Sequence, residues 1–116
     1  MAEETKYPSV FACPHCGESF EAIQNSVRCV NGHTFDRARE GYLNLLVGGR
    51  LSTSTTPGDT PESLAARRRF LSTDAYMPIV DALANTIGDL DGAVLDIGCG
   101  EGYYLSHIRA PHRFGL

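Results

Sequence analysis

Tryptophan is absent, methionine occurs only twice, and no apolar run approaches the ~20 residues that a membrane-spanning helix needs. A membrane role is therefore not expected. An excess of positive charge is missing too. The net charge is −4, with five Lys/Arg against six Asp/Glu in residues 1–50 and five against eight in residues 51–116. Neither half carries the basic footprint of a general nucleic-acid binder, so composition alone does not point to RNA. The opening MAEETKYPSV lacks the charged-then-apolar pattern of a secretory leader. The expected setting is the reducing cytoplasm, where clustered thiols read as metal ligands before they read as disulfides.

Three of the four cysteines do cluster. Cys13-Pro14-His15-Cys16 is one ligand hook, and Cys29-Val30-Asn31-Gly32-His33 is a second, twelve residues further on. Two short hooks joined by a loop suit the tetrahedral sulfur and nitrogen shell of zinc. Cys13, Cys16, Cys29 and His33 are the expected ligands. His15 competes, but it lies inside the first hook, where its ring is expected to point away from the ion. The alternative is three small buried thiols beside a surface histidine, and the spacing argues against it. Four protein ligands make the expected zinc structural, with no open position for chemistry. In a segment this short, metal binding should supply most of the folding energy.

Composition divides the chain into residues 1–46, 47–60 and 61–116. Residues 1–8 are polar and expected to fray. Short alternating runs such as SVRCV suggest small strands in the first part. The stretch VGGRLSTSTTPGDT, residues 47–60, reads as a linker. Thr60, Pro61 and Glu62 make a helix start. A second helix is expected from about Ala75 to Thr86, with Ile79, Val80, Leu83, Ala84 and Ile87 on its apolar face and Gly88 after it. Ala93 to Ile97 reads as a buried parallel strand, and HRFGL as the start of another. Arg67-Arg68-Arg69 spreads around its helix and is expected to be solvated. Gly41 to Leu46 is expected to pack the first module against its neighbour rather than line a substrate path, and Tyr103 and Tyr104 are candidates both for helix packing and for stacking on a base or adenine. His107 and His112 have no evident partners in the sequence.

The segment AVLDIGCGEGYY puts Asp96 at the end of a strand, followed by Gly98, Gly100 and Gly102. Glycines there let a backbone approach a ligand, and the N–H groups of a following helix would face it. The GxGxG spacing differs from the dinucleotide fingerprint. It suits S-adenosylmethionine, whose carboxylate fits a glycine turn and whose positive groups fit a strand-end acid. Cys99, between two glycines, reads as a small filler, since no adjacent basic group would activate it.

The hooks CPHC and CVNGH, the following FDRAREGYLNLL, the PGD of the linker, ARRRFL with Tyr76, and VLDIGCGEGYY resemble, in this order, the 23S ribosomal RNA (guanine-N1)-methyltransferases. The resemblance spans nearly the whole chain. It implies a small zinc-ribbon-like β module over residues 1–46 that helps recognise RNA. After the 47–60 linker it implies helices and the start of an α/β Rossmann-like methyltransferase domain over 61–116, incomplete here. It also implies that Cys13, Cys16, Cys29 and His33 hold Zn2+, and that Tyr76, Gly100 and Glu101 touch S-adenosylmethionine. The implied partner is 23S ribosomal RNA, and a homodimer of the complete enzyme stays open. In such enzymes the second strand ends in an acid that holds the donor ribose. Here Phe114-Gly115-Leu116 stands just before that place, so weak donor binding and no turnover are expected of this stretch alone. No residue presents itself as the base for the guanine N1 proton. The competing readings are a zinc-binding RNA-contact module without catalysis and a truncated gene product.

Overall fold

The computed structural model describes residues 10–48 and 58–116. The polar start and residues 49–57 of the expected linker lie outside the described residues. The chain divides into two compact units, Met1–Thr56 and Pro57–Leu116.

The first unit is a three-stranded antiparallel sheet in the order β1-β2-β3. Its strands are β1 (Phe20–Ile23), β2 (Ser26–Cys29) and β3 (Thr34–Asp36). A two-residue turn joins β1 to β2, with Ile23 opposite Ser26 and Phe20 opposite Cys29. Strand side chains alternate between faces. Val27 and Cys29 therefore point inward while Arg28 between them is exposed. Phe20, Val27, Cys13 and Cys29 are buried together, with Phe35, Leu43 and Leu45 packed against them. Phe20 meets Phe35 edge-on at 5.6 Å. Leu43 is brought there by a bridge to Arg37, by the Ala38 N–H donating to the Tyr42 carbonyl at 2.8 Å, and by Arg37 donating to the Gly41 carbonyl at 2.8 Å. The Gly41–Leu46 stretch was expected to serve a neighbouring module. Its Leu43 and Leu45 instead complete the core of their own sheet, while Tyr42 and Leu46 stay exposed.

The second unit opens with α1 (Pro61–Leu71). Thr60 is its N-cap, and its hydroxyl accepts from the Ser63 N–H at 3.2 Å, which satisfies one of the helix's unpaired first-turn donors. Helix α2 (Met77–Ile87) carries Pro78 in its first turn, where no intrahelical N–H is lost. It ends at Gly88, which sits at φ 69°. Of its apolar face, Val80 is buried and Ile79 is exposed. Strands β4 (Ala93–Asp96) and β5 (His112–Gly115) pair in parallel, with Ala93 opposite His112 and Asp96 opposite Gly115. A short 3-10 turn, Leu105–His107, lies between them.

Two expectations change here. The strand read as buried over Ala93–Ile97 stops at Asp96, and Leu95 and Ile97 are 46% and 76% exposed. A parallel strand is buried when neighbours and helices cover it. Here β4 pairs with one strand, β5, among the described residues, and the face carrying Leu95 meets solvent. The helix expected after the glycine turn is only the 3-10 turn, so it supplies no row of helical N–H groups. No helix among the described residues is long and apolar enough to cross a membrane.

Candidate metal centre and glycine turn

Each hook is a backbone loop closed by its own hydrogen bonds. In the first, the Gly17 N–H donates to the Cys13 carbonyl at 2.7 Å and the Cys13 N–H to the Glu18 carbonyl at 2.8 Å. In the second, the Gly32 N–H donates to the Cys29 carbonyl at 2.9 Å and the Cys29 N–H to the His33 carbonyl at 3.0 Å. Gly17 and Gly32 take φ 76° and 83° to make these loops, a region costly for residues with a Cβ. The β1–β2 hairpin then sets one hook beside the other.

The four ligand atoms of Cys13, Cys16, Cys29 and His33 lie within 4.8 Å of one another. Cys16 Sγ is 3.7 Å from Cys29 Sγ. His33 Nδ1 is 3.3 Å from Cys29 Sγ and 3.5 Å from Cys13 Sγ. A tetrahedral zinc with Zn–S of about 2.3 Å and Zn–N of about 2.0–2.1 Å would set its ligand atoms about 3.5–3.8 Å apart. The donor set thus fits zinc in spacing as well as chemistry, with Nδ1 as the histidine donor. A bound ion there would cross-link the two hooks.

His15 stays outside this cluster. Its ring stacks on Phe35 at 5.9 Å and lies 4.8 Å from the His33 ring. The Asn31 side chain, and after it the Glu18 backbone, hydrogen-bond the Cys16 thiol and hold it down to about 6. Burial pushes the Cys13 thiol up. Zinc binds thiolates, and the hydrogen bonds on Cys16 favour the form that ligates. Beside the hooks, Phe20, Arg28, Val30 and Gly32 help line an open depression of about 470 Å³.

In the second unit the candidate donor residues take up distinct positions. Asp96 ends β4, and its carbonyl accepts from the Leu116 N–H at 2.9 Å. Gly98, Gly100 and Gly102 sit at φ 81°, 56° and 79°, and a Cβ built on any of them meets nothing within 4 Å. The same open space lies at Gly17, Gly32, Gly41, Gly88 and Gly92, so the turn is exposed like the others. Its first amides are not aimed at that space. The N–H groups of Gly98 and Cys99 both donate to the Leu116 carbonyl, at 2.6 and 3.1 Å, which extends the parallel ladder past Asp96. Cys99 Sγ lies where a Cβ on Gly115 would fall, at 2.5 Å. This matches the reading of Cys99 as a filler.

Tyr76 stands at the start of α2 and meets Phe70 edge-on at 5.0 Å. Glu101 is held by Arg68, whose Nε donates to Oε2 at 3.2 Å and whose Nη2 donates to Oε1. That pairing lowers the Glu101 carboxyl below its ordinary range. All three arginines are exposed, as expected, with the Arg68 side chain 74% exposed, but nothing in the sequence signals that Arg68 pairs with Glu101. Only the tertiary structure brings together residues 33 positions apart. A depression of about 630 Å³ between α2 and the 3-10 turn, bordered by Asp81, Asp89, His107 and Arg109, includes none of the candidate donor residues.

Residues 11–47 match the family model described as RlmA, N-terminal, a zinc ribbon. The chain is 41% identical over 101 residues to the 23S rRNA (guanine(748)-N(1))-methyltransferase of Streptomyces fradiae, covering 83% of this chain and 35% of that protein. It is 36% identical over 127 residues to a Micromonospora griseorubida protein named "Putative 23S rRNA (guanine-N(1)-)-methyltransferase", covering 90% and 42%. A Bacillus subtilis (strain 168) protein, "Putative 23S rRNA (guanine-N(1)-)-methyltransferase YxjB", is 37% identical over 113 residues, covering 88% and 36%. The chain therefore spans between about a third and two fifths of the length of these relatives.

Proposed function

We propose that the chain belongs to the 23S rRNA (guanine-N1)-methyltransferase family, which its matches support, and that the protein containing it transfers a methyl group from S-adenosylmethionine to N1 of a guanine in 23S ribosomal RNA. The supporting observation is the coexistence in one chain of a zinc-ribbon match over residues 11–47 and an open glycine turn at the end of a parallel strand. Ligands of α/β sheets bind in that strand-end position.

Cys13, Cys16, Cys29 and His33 hold one structural zinc that fixes the ribbon. The exposed Arg28 and Val30 beside the hooks offer charge and apolar surface to RNA. In the second unit, begun at α1, the Rossmann-like donor domain takes S-adenosylmethionine at the Gly98–Gly102 turn. Asp96 suits its positive groups, and Glu101, held by Arg68, and Tyr76 flank it. The donor supplies the methyl group. This chain's residues bind and orient it, and the base for the N1 proton is assigned to none of them.

Deleting the gene and analysing the 23S RNA tests the proposal. Methylation at N1 occupies the Watson–Crick edge and stops reverse transcription, so one such stop should vanish and return on complementation. An unchanged N1-methylguanine content in the deletion strain would refute the reading.

A further inference from the structure

Helix α1 buries none of its residues, so the usual source of helix stability, an apolar face against a core, is missing. Its side-chain contacts are mostly local. Arg67 reaches Asp59 at 3.5 Å, just ahead of the helix, and Phe70 meets Tyr76 just after it. Arg68 alone among these residues reaches far along the chain, to Glu101. It does so with two guanidinium nitrogens on the two carboxylate oxygens, the fork arrangement that fixes direction as well as distance.

The other end of the contact has the greater need of it. Glu101 stands between Gly100 and Gly102, both at positive φ. Glycines lose more backbone freedom on ordering than any other residue, so a turn with three of them in five positions is expensive to hold in one shape. Glu101 is the long side chain within that turn, and Arg68 grips it.

We propose that Arg68 is a positioning residue for the Gly98–Gly102 turn, clamping Glu101 so that the turn keeps the shape that receives the methyl donor and its order is shared with helix α1. The donor part of this rests on the function proposed above. A clamp of this kind works in both directions: a ligand that orders the turn also orders α1. The fork is essential, because lysine offers one point charge that cannot fix the carboxylate's orientation.

Residue-resolved amide hydrogen exchange on the 116-residue chain tests it, with amides of α2 as the internal reference. Arg68→Ala should speed exchange about two- to fivefold, the scale of an exposed ion pair, in both residues 61–71 and 98–102. Arg68→Lys should recover little of that protection. The double exchange Arg68→Glu with Glu101→Arg should restore it. Acceleration in α1 with the turn unmoved, or full rescue by lysine, would overturn the clamp. Should Arg68→Ala fail to fold, salt on the wild-type chain serves instead. Screening must loosen α1 and the turn together while α2 holds, and independent responses would refute the proposal. An S-adenosylmethionine titration of the full-length protein, followed by amide shifts, separates the two claims. Shifts at 98–102 that are weaker in Arg68→Ala support the positioning role, and shifts of equal affinity in both chains refute it. A coupled turn and helix with no donor-induced shift at any concentration refutes the donor reading and leaves the mechanical clamp standing.

Discussion

The two units reach order by different means. In the first, two of the four buried residues among those described, Cys13 and Cys29, are also candidate metal ligands, so the core and the metal centre are one object. In the second, the buried apolar residues are Val80 and Ile108, while Ile79, Leu95, Ile97 and Leu116 are 51%, 46%, 76% and 64% exposed. Local devices supply its order: a threonine cap, a glycine stop, a short parallel ladder and the Arg68–Glu101 pair. A short chain with little apolar surface to bury can be stabilised by a single strong centre or by many weak contacts. The first unit follows the former strategy, and the contacts within residues 58–116 are of the latter kind.

The largest expected effect tests the first strategy. Cys29→Ser should release the zinc and with it the order of residues 10–48, since structural zinc contributes about 10–16 kcal/mol in small zinc-folded peptides. Metal analysis at full occupancy in that variant would refute the ligand set. His15→Ala, whose ring lies outside the cluster, should leave occupancy unchanged. A chelator should likewise abolish the amide dispersion of residues 10–48 while signals of 58–116 persist, because all four candidate ligands belong to the first unit.

Next comes the thin core of the second unit. Ile108→Ala removes one of its two buried side chains and should cost about 2–4 kcal/mol. Its melting should shift while zinc occupancy does not, as differential scanning calorimetry with parallel metal analysis would show. Thr60→Ala should cost about 1 kcal/mol through loss of the helix cap, seen as faster exchange over residues 61–71.

The smallest effect is that of pH on the Arg68–Glu101 pair. The Glu101 carboxyl is lowered in the folded chain by its hydrogen bonds to Arg68. The pair's contribution is therefore complete above the ordinary carboxylate value and lost as pH falls through the lower folded one. Carboxyl carbon shifts of Glu101 should titrate below the ordinary value in the wild type and near it in Arg68→Ala. Identical titrations would mean that the pair does not persist in solution.

Much of this architecture was legible residue by residue. Thr60-Pro61-Glu62 announces a helix start, and α1 begins there. Gly88 announces a stop, and α2 ends before it. These are local signals, carried by φ preferences and by side chains that reach backbone groups two or three residues away. The hook spacing singled out four ligands, and their atoms converge, because short loops leave a ligand few places to go.

The readings that shifted were those that depend on distant residues. The burial of β4 turns on which elements cover its faces, and AVLDI by itself does not specify them. The N–H groups of a helix after the glycine turn were expected to face a ligand, yet only a 3-10 turn follows, and the amides of Gly98 and Cys99 pair with Leu116. That follows from a register between strands sixteen or more residues apart. Arg68 looked like one of three equivalent surface arginines until the fold put Glu101 within reach of its fork. By itself the sequence determined the hooks, the helix limits and the family resemblance, since each is written in neighbouring residues or in a motif order. The tertiary structure decided which face of β4 is bare, which amides of the turn are taken and which arginine holds it, because each of those depends on a contact closed across a long loop.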